Sequence, residues 1–272
     1  MKPVSLAVAF SILLFAACAR TPPEPNSGVS HDTQILIPLY NYPNWYDPAD
    51  YIWDDVAGAN GQVPVTAVIN PSNGPGGPPN ENYQHGLSDL RAAGVTILGY
   101  VYTSYGARDI NVVKAEIDLY DQHFDIDGIF FDEVSNDTEE LSYYEELYDY
   151  VTSRPNLEKV FLNPGCNIAE EYISSGHGCH TAVIFESESS EWPTYPLAEY
   201  VTSGAYPAER FAMLVHTTPD ADAMRSHIDM AVARNVGYVY VTDDGSDNPW
   251  DSLPTFWTAE VDYIESLNAS TH

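Results

Sequence analysis

The sequence predicts a single-domain α/β fold, a (β/α)8 TIM barrel, and three observations carry the prediction. Eight short apolar runs recur between residues 33 and 272. They are rich in β-branched and aromatic residues and nearly unbroken in apolar character, as expected of parallel strands covered on both faces. The segments between them space their apolar residues at helical intervals. A doubly wound open sheet fits the same alternation and is the competing architecture.

In order, the first run is "ILIPLY" (35–40), followed by "NYPNWY". "VTAVIN" (65–70) leads into the Pro- and Gly-rich "PSNGPGGPPN". Next, "NENYQHGLSDLRAAG" places Tyr83, Leu87 and Leu90 on one helical stripe and closes on Gly94, a C-cap signal. After "VTILGYVY" (95–102), "DINVVKAEIDLYDQHF" sets Val113, Ile117 and Tyr120 on one face, with Asp109 as N-cap. "GIFFDE" (128–133) precedes the helix-like "DTEELSYYEELYDYVTSR". "VFLN" (160–163), "AVIFE" (182–186) and "FAMLVH" (211–216) follow. The amphipathic "TPDADAMRSHIDMAVARN" then connects to "GYVYVT" (237–242).

Active sites of such barrels form at the C-terminal ends of the strands. Here nearly every apolar run ends on a polar or aromatic residue: Tyr40, Asn70, Tyr102, the Asp132–Glu133 pair, Asn163, Glu186, His216 and Asp243. Burying an unpaired carboxylate in a strand is costly, so carboxylates that end an apolar run belong at an open mouth. Carboxylates and aromatic rings together suit glycoside hydrolysis, which needs one carboxylic acid and one carboxylate base or nucleophile. Asp132, Glu133 and Glu186 are the catalytic candidates. Tyr40, Tyr42, Trp45, Tyr102 and Tyr105 are candidates for stacking against sugar rings. Any single Tyr or Trp fits the core or surface equally well, Asp132 fits a loop brace, and Glu186 lies in a Glu-rich stretch, "ESESSE". No G-x-S-x-G elbow supports serine chemistry, and the prolines of "NGPGGPP" remove the N–H donors of a phosphate cradle.

Forty acidic residues against ten basic ones give a net charge of -30. That excludes nucleic acid as a partner, whose phosphates need a basic face. A hydrated surface suited to salt and attraction of a cationic amino-sugar polymer both fit this charge.

The N-terminus reads as a targeting segment. "MKPVSLAVAFSILLFAAC" has one Lys, a short apolar stretch and small residues before Cys18. Leu14–Phe15–Ala16–Ala17–Cys18 resembles a bacterial lipobox with Cys18 as the lipidated residue, and ordinary signal cleavage nearby is the alternative. The expected division is 1–18 leader, 19–32 Pro-rich tether and 33–272 catalytic domain. The expected location is the bacterial cell envelope, membrane-anchored through Cys18, or secretion. In an exported chain the two remaining cysteines, Cys166 and Cys179, are expected to pair as a disulfide. "HGCH", with His177, Cys179 and His180, is the rival metal reading, and its spacing is unlike paired zinc ligands. No cofactor or metal is expected.

The stretches "ILIPLYNYPNW", "VINPSNGPG", "GYVYTSYGAR", "DGIFFDE", "LNPG", "FE", "YVYVTDD" and "PWDSLPTFW" run in order over nearly the whole domain. Together they resemble the spherulin-4-like family (spherulation-specific family 4), which includes glycoside hydrolase family 135. The resemblance implies a (β/α)8 barrel with endo-acting activity on α-1,4-linked N-acetylgalactosamine polymers of biofilm exopolysaccharide. It also implies essential acids at Asp132, Glu133 and Glu186. Cys166 and Cys179 depart from the family pattern.

The expected reaction is a retaining one, with Asp132 as nucleophile, Glu186 as general acid/base and Glu133 orienting its neighbour. Exchange of roles between Glu133 and Glu186, or participation of the acetamido group, remains open. A non-catalytic carbohydrate-binding lipoprotein and a hydrolase of another glycan are the alternatives.

Overall fold

The computed structural model describes residues 32–245 and 248–270. The leader, Cys18 and the tether through residue 31 lie outside these described residues. Eight parallel strands form a closed barrel in sequence order: β1 (Gln34–Leu39), β2 (Val65–Ile69), β3 (Thr96–Tyr102), β4 (Gly128–Asp132), β5 (Lys159–Leu162), β6 (Thr181–Glu188), β7 (Phe211–His216) and β8 (Tyr238–Val241). The barrel closes where Gln34 and Ile35 of β1 pair with Tyr238 and Val239 of β8. All eight apolar runs are strands, so the open-sheet alternative is set aside.

The outer ring holds α1 (Trp53–Ala59), α2 (Glu81–Ala92), α3 (Ile110–His123), α4 (Leu141–Thr152), α5 (Glu171–Ser174), α6 (Glu199–Thr202), α7 (Ala221–Ala233) and α8 (Trp257–Ser270). The caps follow residue chemistry. Asn80, Asp109 and Asp220 each accept backbone N–H groups of the first turn of α2, α3 and α7. Gly94, at φ +79°, ends the α2 turn in the left-handed region. The helices are unequal: α5 and α6 have one turn each, so loops cover much of that flank.

Leu87, Leu90, Val113, Ile117 and Tyr120 turn the helices' apolar stripes onto the barrel. Phe130 and Phe131 are essentially sealed from water, each contributing about 1.5–3 kcal/mol through burial. Only glycine fits at Gly128, because a Cβ there would lie 2.1 Å from the Lys159 carbonyl oxygen of β5.

The expected disulfide is not formed, and both cysteines are free thiols. Cys166 follows β5 on the mouth rim, whereas Cys179 precedes β6 at the opposite end of the barrel. A strand's length, roughly 10 Å or more, separates the two rims, beyond the reach of one S–S bond. Cys179 is buried against the Tyr172 carbonyl, and burial pushes its thiol up to about 12. The "HGCH" residues are engaged separately. His177 Nδ1 lies 2.7 Å from Asp149 Oδ1, and His180 Nδ1 accepts from the Val160 N–H at 3.0 Å.

Candidate active site

The "GIFFDE" run ends at the mouth of the barrel. Asp132 is the last strand residue, in register with Tyr102 of β3. Glu133 then turns into the left-handed region at φ +50°, a strained conformation for a non-glycine residue. Its carbonyl is clamped by the Tyr105 N–H at 2.6 Å and the Thr103 hydroxyl at 2.8 Å. The same hydroxyl meets Tyr144 Oη at 2.8 Å, and that phenol oxygen accepts from the Ser135 N–H. A buried Thr–Tyr pair therefore fixes the turn and lets the two adjacent carboxylates leave the strand in different directions.

Asp132 is fully engaged. Its Oδ2 accepts from the Tyr100 hydroxyl at 2.8 Å and its Oδ1 from Asn163 Nδ2 at 2.8 Å. Asn163, the residue after β5, is itself buried. The same amide nitrogen donates to Glu186 Oε2 at 2.5 Å. With legs of 2.8 and 2.5 Å from one nitrogen, the two carboxylate oxygens stand no more than about 5.3 Å apart. A register shift between Val183 and Phe185 bulges β6 just before Glu186 and re-aims the strand end.

Charge sorts this pair. Burial pushes Glu186 up to about 7, helped by the neighbouring Asp132, while the Asn163 amide and the Trp250 indole pull the other way. Burial also raises Asp132, but hydrogen bonds from the Glu133 backbone, Tyr100 and Asn163 counter it. The donors around Asp132 favour its ionised form and burial favours the protonated form of Glu186, which sorts the pair into a carboxylate and an acid. Tyr40 meets Tyr100 edge-on with ring centroids 5.7 Å apart. Burial, then the charge of Asp132, keeps the Tyr40 phenol protonated, as it does that of Tyr100. The Glu133 carboxylate lies near enough to raise Asp132 and makes no hydrogen bond or ion pair among the described residues.

The other expected residues are placed differently. Tyr102 lies at the end of β3 with the Arg108 guanidinium 3.9 Å above its ring. Tyr105 is exposed on the following loop at φ +56°. Asn70 braces its own loop, its Oδ1 accepting from the Gly74 N–H at 2.9 Å. His216 Nδ1 shares a hydrogen bond with Thr217 Oγ1, and its ring meets Trp250 edge-on at 5.9 Å. Both oxygens of Asp243 are taken up by the N–H and hydroxyl of Thr255, so this carboxylate ties down its loop. Trp45 sits against the N-terminal turns of α2, its indole on Asn82 and His85. Tyr100 and Trp250 are the functional residues the sequence reading missed. Tyr100 carries a legible signal, being two residues before Tyr102 on the same strand face. Trp250 lies in the "PWDSLPTFW" stretch that carries the resemblance, but only the fold brings its loop to Glu186. Among the described residues, no group of three or more His, Cys, Asp or Glu side chains is arranged to hold a metal ion.

The sequence profile of spherulation-specific family 4 matches residues 34–264. Spherulin-4 of Physarum polycephalum is 31% identical over 271 residues, covering 95% of this chain and 78% of that protein. Among solved structures, Aspergillus clavatus Sph3 in complex with GalNAc superimposes with a TM-score of 0.75 at 26% identity, covering 86% of this chain and 98% of Sph3.

Proposed function

Because the chain belongs to spherulation-specific family 4, we propose that it is a glycoside hydrolase cutting internal α-1,4 linkages of N-acetylgalactosamine- or galactosamine-containing exopolysaccharide, with retention of configuration. The observation that carries the reading is the single Asn163 amide bridging Asp132 and Glu186. Retaining enzymes hold their two carboxyl groups about 5–5.5 Å apart, and inverting enzymes about 6.5–9.5 Å, to admit a water. The bridge keeps the facing oxygens on the shorter side of that divide. GalNAc in the Sph3 complex supports an amino sugar as the ligand class.

The roles follow from where the proton resides. Glu186 donates its proton to the glycosidic oxygen as the C1–O bond breaks, and an Asp132 oxygen forms a bond to C1 from the opposite face. Glu186, now a carboxylate, takes a proton from water; the water oxygen bonds to C1 and Asp132 leaves as carboxylate. Asn163 and Tyr100 hold the nucleophile's two oxygens and stabilise its charge as it departs. Glu133 adds negative charge beside the positively charged, oxocarbenium-like transition state. In an α-linked 2-acetamido sugar the acetamido group is cis to the leaving oxygen, so it cannot attack from the rear. That stereochemistry favours a protein nucleophile over substrate assistance.

Replacing Glu186 by Gln keeps the Asn163 contact and removes the acid. Turnover of an α-1,4-linked galactosaminogalactan should fall by about 10²–10⁴-fold, read as oligomers released in mass analysis. Undiminished release by the variant refutes the assignment. The leader supports placement in the cell envelope through acylated Cys18, and loss of lipid labelling on Cys18→Ala tests that placement.

A further inference from the structure

Tyr42, Trp45, Tyr46 and Tyr105 are large apolar side chains that remain exposed. All four lie on the loops that follow β1 and β3, on the rim that carries the carboxylates. Trp45 is exposed yet fixed. Its indole Nε1 donates to Asn82 Oδ1 at 3.0 Å. His85 stacks under one face of the ring, with centroids 4.6 Å apart and planes 26° from parallel. His85 is held in turn by Asp89 at 3.3 Å, a carboxylate that also accepts from the Tyr51 hydroxyl. Beside this stack, the Tyr42 hydroxyl accepts from the side-chain amides of Asn80 and Asn82, each at 2.9 Å. The Tyr42 ring meets Tyr83 edge-on at 5.5 Å.

The first turn of α2 thus immobilises two aromatic rings that the fold does not bury; Trp45 keeps 45% of its surface accessible. An exposed indole forgoes its burial energy, and fixing it also costs rotamer freedom. Rigid, amphipathic rings with one open face are characteristic of binding surfaces. The ligand chemistry follows from the exposed part of the indole, which the Tyr46 ring meets edge-on at 6.3 Å. A galacto-configured pyranose presents a contiguous patch of C–H bonds on one side, which lies flat on an indole while its hydroxyl groups stay hydrated.

We propose that Trp45, backed by His85 and flanked by Tyr42, is a distal subsite that binds a pyranose ring of the polysaccharide several residues away from the bond being cut. Trp45 is five residues beyond Tyr40, whose ring lies at the carboxylates, so the two Cα atoms stand within about 18 Å. A few sugar rings of one chain span that distance. This proposal rests on the polysaccharide reading above. It adds that the enzyme prefers long chains, because short oligomers cannot reach the platform.

The test compares Glu186→Gln with Glu186→Gln/Trp45→Ala by electrophoresis in gels containing α-1,4-linked galactosaminogalactan. Both proteins should show the same thermal transition, since the ring is exposed. The platform predicts that the added substitution weakens polymer affinity by about tenfold, with Trp45→Phe in the same background intermediate. It also predicts that Trp45→Ala alone lowers about tenfold the ratio of kcat/KM on polymer to kcat/KM on a short oligomer. Equal retardation of the two proteins, or an unchanged ratio, overturns the platform and leaves the hydrolase reading standing. Absence of retardation in both proteins overturns the platform together with this polymer as the ligand.

Discussion

Removing the Asn163 amide tests the active-site electrostatics, because one nitrogen serves both acids. In Asn163→Ala, Asp132 Oδ1 and Glu186 Oε2 each lose a donor that stabilises their ionised form. A hydrogen bond to a charged group is worth about 1.5–3 kcal/mol. Divided between two carboxylates, that becomes roughly 0.5–1 pH unit for each, at 1.36 kcal/mol per unit. The sign is upward for both, since each donor holds its carboxylate's pKa down. In the parent enzyme, kcat/KM should fall on the alkaline side as Glu186 loses its proton near 7. In the variant both limbs of the profile should move to higher pH, and the maximum should drop because the nucleophile is no longer oriented. The assay is reducing-end release from the polymer between pH 4 and 10, with circular dichroism as the check on folding. A profile that keeps its limbs, or moves them to lower pH, refutes a shared amide as the group that tunes the pair.

Other consequences lie away from the mouth. Glu260 on α8 is fully buried; one oxygen accepts the Val241 N–H at 2.9 Å, the other has no partner among the described residues, and burial pushes its pKa up to about 8. The folded protein therefore holds a proton that the unfolded chain releases, and this group makes stability fall as pH rises from about 4.5 to about 8. Glu260→Gln should flatten that fall, by up to about 5 kcal/mol above pH 8, in denaturant titrations at pH 5 and 9; parallel pH dependence in the two proteins contradicts it. Cys166 and Cys179 are free thiols, so reductant should leave the thermal transition unchanged, and a drop of several degrees would reveal a bond.

Most of the barrel was legible because its signal is local. Each apolar run is short, β-branched or aromatic, and bounded by polar residues, and each became a strand. The mouth was legible for the same reason: an apolar run that stops on Asp132 or Glu186 marks where the hydrophobic core gives way to the polar mouth. At β1, β2 and β5 the terminal polar or aromatic residue sits one position past the strand, and Asp243 sits two past β8; that offset is how Asn163 comes to reach both acids. What escaped depends on contacts far apart in sequence. Trp250 reaches Glu186 from a loop nine residues past β8. Asp243 has the position of a site residue, yet it is occupied by Thr255, twelve positions later. The Cys166–Cys179 pairing failed because sequence spacing does not record that one residue lies on the mouth rim and the other on the opposite rim. The left-handed turn at Glu133 also escaped, since it is imposed by Thr103 and Tyr144 rather than by its own residue type.

The central claim is that Asp132 and Glu186, held by one amide, cut an α-linked amino-sugar polymer in two displacements. The configuration of the first product tests it most directly, followed by proton NMR of the anomeric signals as polymer and enzyme are mixed. The account predicts that the new reducing ends appear first as the α anomer and only later equilibrate, with no signal from Glu186→Gln on the same timescale. First appearance of the β anomer, or α-anomer release that persists in Glu186→Gln, would contradict it.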